Sequence, residues 1–151
     1  MIIPQRLKEL LEKADWICLA TRNQSGHPNA ANKFLLQCED EHVLIVDFVH
    51  GSTLDNILHY PKASFAVIDL ENLIDYQFFG EVEIIKEGQL HEKLINFLEE
   101  KHARFSTNRI IEGIRRSRKF NNNVLPDTDG AVILKINIMD IVVRGPRIEI
   151  K

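Results

Sequence analysis

Cysteine is scarce in this chain. The two present, Cys18 and Cys38, sit inside apolar runs with no partner at C-x-x-C spacing. That excludes a disulfide-dense scaffold and leaves two small hydrophobes expected to be buried in a reducing compartment, with a disulfide between them open. Positive charge is not in excess either. With 19 Lys and Arg against 22 Asp and Glu the net charge is −3, which speaks against a general nucleic-acid binder while allowing a local basic patch. No apolar run reaches the roughly 20 residues of a membrane-spanning helix. Met1-Ile-Ile-Pro-Gln-Arg6 lacks the plan of a secretory signal, so a cytoplasmic location is expected. His27, His42, His50, His59, His91 and His102 form neither H-E-x-x-H nor a pair with cysteine at ligand spacing, so no metal site is expected. G-x-S-x-G is absent, which removes serine-hydrolase chemistry. There is no internal repeat and no low-complexity segment beyond Asn121-Asn-Asn123.

What is present fits one domain over residues 1–151, with 44% hydrophobic and 27% charged residues. Pro4 suits a first helical turn, and Leu7, Leu10, Leu11 and Ala14 repeat at helical spacing behind it. Trp16–Thr21 is rich in strand formers, and Asn23-Gln-Ser-Gly-His-Pro28 is a dense turn signal. Strands are expected at Asn29–Cys38, Val43–Phe48, Ala63–Asp69, Tyr76–Ile85 and Ala131–Val143. Gly80 in mid-strand marks a bulge or the close approach of another backbone or a ligand, and Asn137 and Asp140 mark a bend in the last strand. A helix is expected over Gln89–Phe105, with Ser106 or Thr107 capping a further one through Ile110, Ile111 and Ile114. Ile148-Glu-Ile150 reads as an edge strand or tail. Six strands joined mainly by tight turns should be antiparallel. The fold class is α+β, with a small closed barrel removing the sheet edges.

The most informative stretch is His50–Pro61. Gly51 breaks the apolar run before it, and Ser52 and Thr53 precede a short helix, Leu54–Tyr60, stopped by Pro61. The free amides and partial positive charge of a helix start can hold an anion such as a phosphate, with two hydroxyls beside them. Ser52 with Asp55 equally fits a capping box that needs no ligand.

Taken in order, Leu19-Ala-Thr21, Gly26-His-Pro-Asn29, Lys33-Phe34, Leu44-Ile-Val-Asp47, Ser52-Thr-Leu-Asp-Asn56, Pro61, Tyr76-Gln77 and Gly80-Glu-Val-Glu83 resemble the FMN-binding split-barrel family, which includes pyridoxamine 5′-phosphate oxidases and smaller flavoproteins. The resemblance covers the first half well and the last strand loosely. It implies a six-stranded antiparallel split β-barrel with flanking helices, packed as a homodimer with FMN in the groove between two barrels. By position, Ser52 and Thr53 would bind the phosphate and Asn56 would support the loop. Asn29, Ala30, Asn32 and Lys33 would line the ring and ribityl chain, Asp47 would lie in the same set, and Gln77 would reach the ring edge. Family members often carry Lys or Arg near Thr53, where this chain has Ser52. Phosphate charge would then fall to Lys33, His50, Arg22 or the partner subunit. The tail Arg144-Gly-Pro-Arg-Ile148 does not match the arginine-rich substrate segment of the oxidase proper, so the smaller flavoproteins are the better analogy.

Other constellations read more simply. Asp69 with Glu71, and Glu81 with Glu83, fit the wet face of strands better than acid–base work. Trp16 could lie against a flavin, though a buried aromatic is the commoner outcome. Phe78 and Phe79 should point to opposite faces. Arg115, Arg116, Arg118 and Lys119, with Phe120, support an alternative in which a small barrel binds single-stranded nucleic acid; a solvated helix end is the simpler reading. The expected function is flavin redox chemistry, moving hydride or electrons between FMN and a small acceptor, with a non-catalytic flavin carrier as the alternative. No residue stands out as an obligatory catalytic acid, base or nucleophile.

Overall fold

Pro4 precedes α1 (Gln5–Glu12), and the chain then runs through strands and helices: β1 (Trp16–Arg22), β2 (Pro28–Cys38), β3 (His42–Asp47), α2 (Ser52–His59), β4 (Lys62–Asp69), β5 (Ile74–Ile85), α3 (Gln89–Arg115) and β6 (Val132–Arg144). The computed structural model describes residues 1–115 and 128–146, the side chains of 105–115 excepted. The six strands form a closed, wholly antiparallel barrel in the order β1-β2-β3-β6-β5-β4. Closure rests on a short β1–β4 contact, Leu19 opposite Phe65 and Ala20 opposite Ser64. The β1–β2 hairpin turns on Gly26, whose φ of +84° is the left-handed backbone that glycine adopts most readily.

Alternation along the strands sends one residue in two into the barrel. Ile17, Leu19, Leu35, Ile45, Phe65, Phe78, Leu134 and Ile136 fill it, and the rings of Phe65 and Phe78 stack at 4.7 Å. Ile3, Leu7 and Leu11 bring α1 into the same core. Outside the barrel, Phe34, Leu36, Val46 and Ile133 meet Leu94 and Leu98 of α3 in a second cluster. Each of these large side chains contributes about 1.5–3 kcal/mol by leaving water. Lys101 of α3 donates to the carbonyls of Leu35 (2.8 Å) and Leu36 (3.1 Å), where β2 shifts register against β3. The helix thereby satisfies backbone groups that the ladder leaves open. Burial lowers the Lys101 pKa from its ordinary value.

The structure corrects some expectations and bears out others. The stretch 89–115 is one continuous helix, with Ser106 and Thr107 inside it. No Gly or Pro stands between Gln89 and Glu112 to break it. Cys18 is exposed because it faces outward between Ile17 and Leu19; Cys38 is buried, both thiols are free, and burial pushes the Cys38 pKa up to about 11. Trp16 is 42% exposed, edge-on to Phe34 at 5.4 Å. Gly80 is a close approach of another backbone: a Cβ there would lie 2.5 Å from the Asn137 carbonyl oxygen. The bend in β6 is a bulge at Met139, where Phe79 opposes Asp140 and Gly80 opposes Ile138. No helix among the described residues is long and apolar enough to cross a membrane.

Asp69 closes the β4–β5 connection. Its carboxylate accepts from the amides of Glu71 and Asn72 (both 3.1 Å), the Asn72 side chain (2.8 Å) and Arg6 (2.6 Å). The Asn72 and Arg6 hydrogen bonds hold its pKa below the ordinary 3.8. A depressed pKa contributes stability that is fully present above the unfolded-state value and is lost as pH falls through the native one. In acid titrations followed by circular dichroism, Asp69→Asn should lack the part of the stability loss that the wild type shows below about pH 4. An identical pH dependence would remove Asp69 from the acid response.

Candidate functional site

One end of the barrel is polar. Thr21 and Asn29 are register partners on β1 and β2 and face inward together. Asn29 Nδ2 donates to Thr21 Oγ1 (3.5 Å) and to Thr53 Oγ1 (3.4 Å), and Asn56 Nδ2 donates to Thr21 Oγ1 (3.0 Å). Thr21, Thr53 and Asn56 are buried. These bonds pin α2 across the barrel end, so Thr53 and Asn56 hold the helix in place.

Further along the same inward row, Lys33 pairs with Asp47 at 2.6 Å, the two side chains being 10% and 0% exposed. Asp47 Oδ1 also accepts from the Val49 amide at 3.3 Å, while Oδ2 is buried without a partner. The pair therefore anchors the start of the 48–51 loop. His50 Nε2 donates to the Gly130 carbonyl at 2.9 Å and ties that loop to the turn before β6.

The loop delivers α2 with a bare start. Gly51 is its N-cap, no side-chain cap hydrogen bond forms, and Ser52 is an exposed first helical residue. The capping box of Ser52 and Asp55 does not form: Ser52 lies inside the helix, and the Asp55 amide donates to the Gly51 carbonyl at 3.1 Å. The first-turn amides thus meet no side-chain acceptor, and their partial positive charge is open to an anion.

The remaining candidates lie on the outer face. Ala30 and Asn32 point outward beside Ala20 and Cys18. Gln77 points outward from β5 and accepts from Arg144 at 3.1 Å. With strands about 4.8 Å apart, β5 stands about 14 Å from β2 around the barrel. Gln77 thus stands three strands from Asn29 and Lys33 in the barrel order. The outer face combines small residues with exposed Trp16, Ile68, Met139 and Val143.

A cleft of about 460 Å³ opens at the β1–β4–β5 side, between Arg22, Tyr60, Lys62, Ser64, Phe79 and Met139. The Arg22 guanidinium lies 3.7 Å from the Tyr60 ring centre. Sequence reading missed this cleft, since β1, β4 and the end of α2 meet only through barrel closure. The polar start of β4 after Pro61 was the one local signal.

The histidines separate by environment. His91 Nε2 donates to the Ala131 carbonyl at 2.8 Å, and His102 packs against Phe34 and Phe48 with its Nε2 buried and unpartnered. Burial lowers the His102 pKa. No cluster suited to a metal occurs among the described residues. The basic cluster Arg115–Lys119 and the tail strand Ile148–Ile150 lie outside the described side chains.

Solved structures share the fold, three of them as follows. HupZ of Group A Streptococcus is 24% identical, covering 93% of this chain and 92% of its own, with a TM-score of 0.62. An F420 reductase is 19% identical, covering 93% and 98%, with a TM-score of 0.60. A pyridoxamine 5′-phosphate oxidase-related, FMN-binding protein of Nostoc punctiforme is 14% identical, covering 95% and 82%, with a TM-score of 0.59. No curated protein matches the chain. A family profile described as pyridoxamine 5′-phosphate oxidase matches residues 3–128, and the chain belongs to that family.

Proposed function

We propose that this protein binds FMN at the interface of a homodimer and serves flavin redox chemistry with a small acceptor, rather than the oxidation of pyridoxine 5′-phosphate. The observation that carries the reading is the bare start of α2: Gly51 as N-cap, no side-chain cap hydrogen bond, and an exposed Ser52. That donor set fits a phosphate monoester in kind, with backbone amides and a hydroxyl converging at the positive end of a helix. Thr53 and Asn56 position the turn, and His50 fixes the loop before it. Lys33 is engaged by Asp47, so it orders the loop instead of neutralising the phosphate. Asn29, Ala30 and Asn32 form the adjoining wall. Gln77, on the outer face of β5, belongs to the same reading at the ring edge.

Family membership and an FMN-binding fold neighbour support the assignment. The exposed apolar residues around a floor of small side chains support a second copy on the outer face. Two free thiols agree with a cytoplasmic location. When bound, the flavin supplies the hydride or electron transfer, and the chain's own groups hold and orient it.

The test is a visible spectrum of the protein eluting from gel filtration after incubation with FMN. Flavin bands on a dimer-sized peak are expected. Flavin-free protein, or a monomer, overturns the reading. Ser52→Lys adds a cation at the phosphate seat and should tighten retention about tenfold, since a charge-assisted contact contributes about 1.5 kcal/mol or more. Unchanged retention would move the phosphate elsewhere. Turnover of a reduced nicotinamide would separate an enzyme from a carrier.

A further inference from the structure

We propose a second small-molecule site in the cleft beside Tyr60, taking an organic anion with a flat apolar body and one phosphate or carboxylate group. The cleft holds two cations close together. Arg22 stacks on the Tyr60 ring at 3.7 Å, and the Lys62 ammonium lies 5.8 Å from the same ring centre. Neither pairs with a carboxylate among the described residues. Glu81 is the register partner of Lys62 across the β4–β5 ladder, yet it makes no ion pair with it.

The contact with the ring holds the guanidinium in place, and its N–H donors can meet a planar or tetrahedral anion. Beyond the cations the cleft turns apolar. Phe79, the bulged Met139, Ala20, Ala63 and Gly80 line it there, with Ser64 among them. A volume of about 460 Å³ suits a molecule of that size and shape.

This site is not the phosphate seat of the flavin reading. Ser52 and Tyr60 mark opposite ends of α2, which at 1.5 Å per residue places them about 12 Å apart. The cations here gather at the end of the helix where the backbone dipole is negative, so the dipole does not supply the attraction for an anion. Arg22 and Lys62 must supply it. The cleft is distinct in position from the phosphate seat, while its Met139 lies on the face given above to the second copy.

Calorimetric titration of the full chain with phenyl phosphate, inorganic phosphate and phenol tests it. Phenyl phosphate should bind more tightly than either of the others, because only it fills both halves of the cleft. Arg22→Gln and Lys62→Gln should each weaken it about tenfold, with circular dichroism unchanged. Repeating the titration on FMN-loaded protein separates this site from the flavin site. Unchanged affinity with FMN present supports two sites. Competition by FMN, or loss of FMN retention in Arg22→Gln, overturns the proposal by making the cleft part of the flavin site. Equal affinity in wild type and both variants, or no binding of phenyl phosphate, overturns it as well.

Discussion

Lys33→Met should cost about 3–5 kcal/mol of folding stability, read as a lower urea midpoint. The reason is Asp47. Its carboxylate is wholly buried, Oδ2 has no partner, and Oδ1 is met by the Lys33 ammonium at 2.6 Å and by the Val49 amide. Taking away the ammonium leaves a buried charge with one weak donor. The double variant Lys33→Met with Asp47→Leu should recover most of the loss, because both desolvated charges then disappear together. If the double variant is as unstable as the single one, the pair has a role in the barrel beyond its own compensation. FMN retention gives a separate readout. The pair positions the loop into Ser52, so the double variant should bind FMN more weakly even where stability returns. Full retention would show that the loop finds its place without that anchor.

Gly80→Ala is expected to destabilise the protein by about 3 kcal/mol, at the upper end of what overpacking usually costs. The added methyl would lie 2.5 Å from the Asn137 carbonyl oxygen and 2.6 Å from Cγ2 of Ile136. The first contact is backbone and cannot swing away. Relief would require β5 and β6 to part at the Met139 bulge, on the longest ladder of the barrel. Gly51→Ala is the control. A Cβ there meets only the Val49 carbonyl oxygen, at 3.9 Å, so its loss should stay near the roughly 1 kcal/mol that an alanine N-cap costs. Equal midpoints for Gly80→Ala and wild type would mean that the two strands are free to shift at the bulge.

Most of the architecture was legible from local patterns, because barrel strands bury one residue in two and the hairpins carry Gly, Pro, Asn and Asp. The helix at Ser52 announced itself through Gly51 and Pro61. Two local readings failed where distant residues decided the outcome. The Ser52–Asp55 capping box is sound as a sequence pattern, but the 48–51 loop, held by Asp47 and His50, starts the helix on Gly51. Trp16 reads as core, but its place on the outer side of β1 leaves it partly in water.

The candidate site shows the same division. By itself the sequence determined the strand order along the chain, the phosphate-like turn at Gly51–Thr53 and the residue types around it, since each depends on neighbours a few positions away. Only the tertiary structure decided which of those residues work together. Barrel closure sets Lys33 against Asp47 and Asn29 against Thr53, so residues named for a ligand also support the turn beside them. The same closure brings Arg22, Tyr60 and Lys62 around one cleft and sets Gln77 three strands from β2. Such pairings join residues far apart in sequence, and their geometry follows from strand register and barrel radius, which no local pattern of side chains contains.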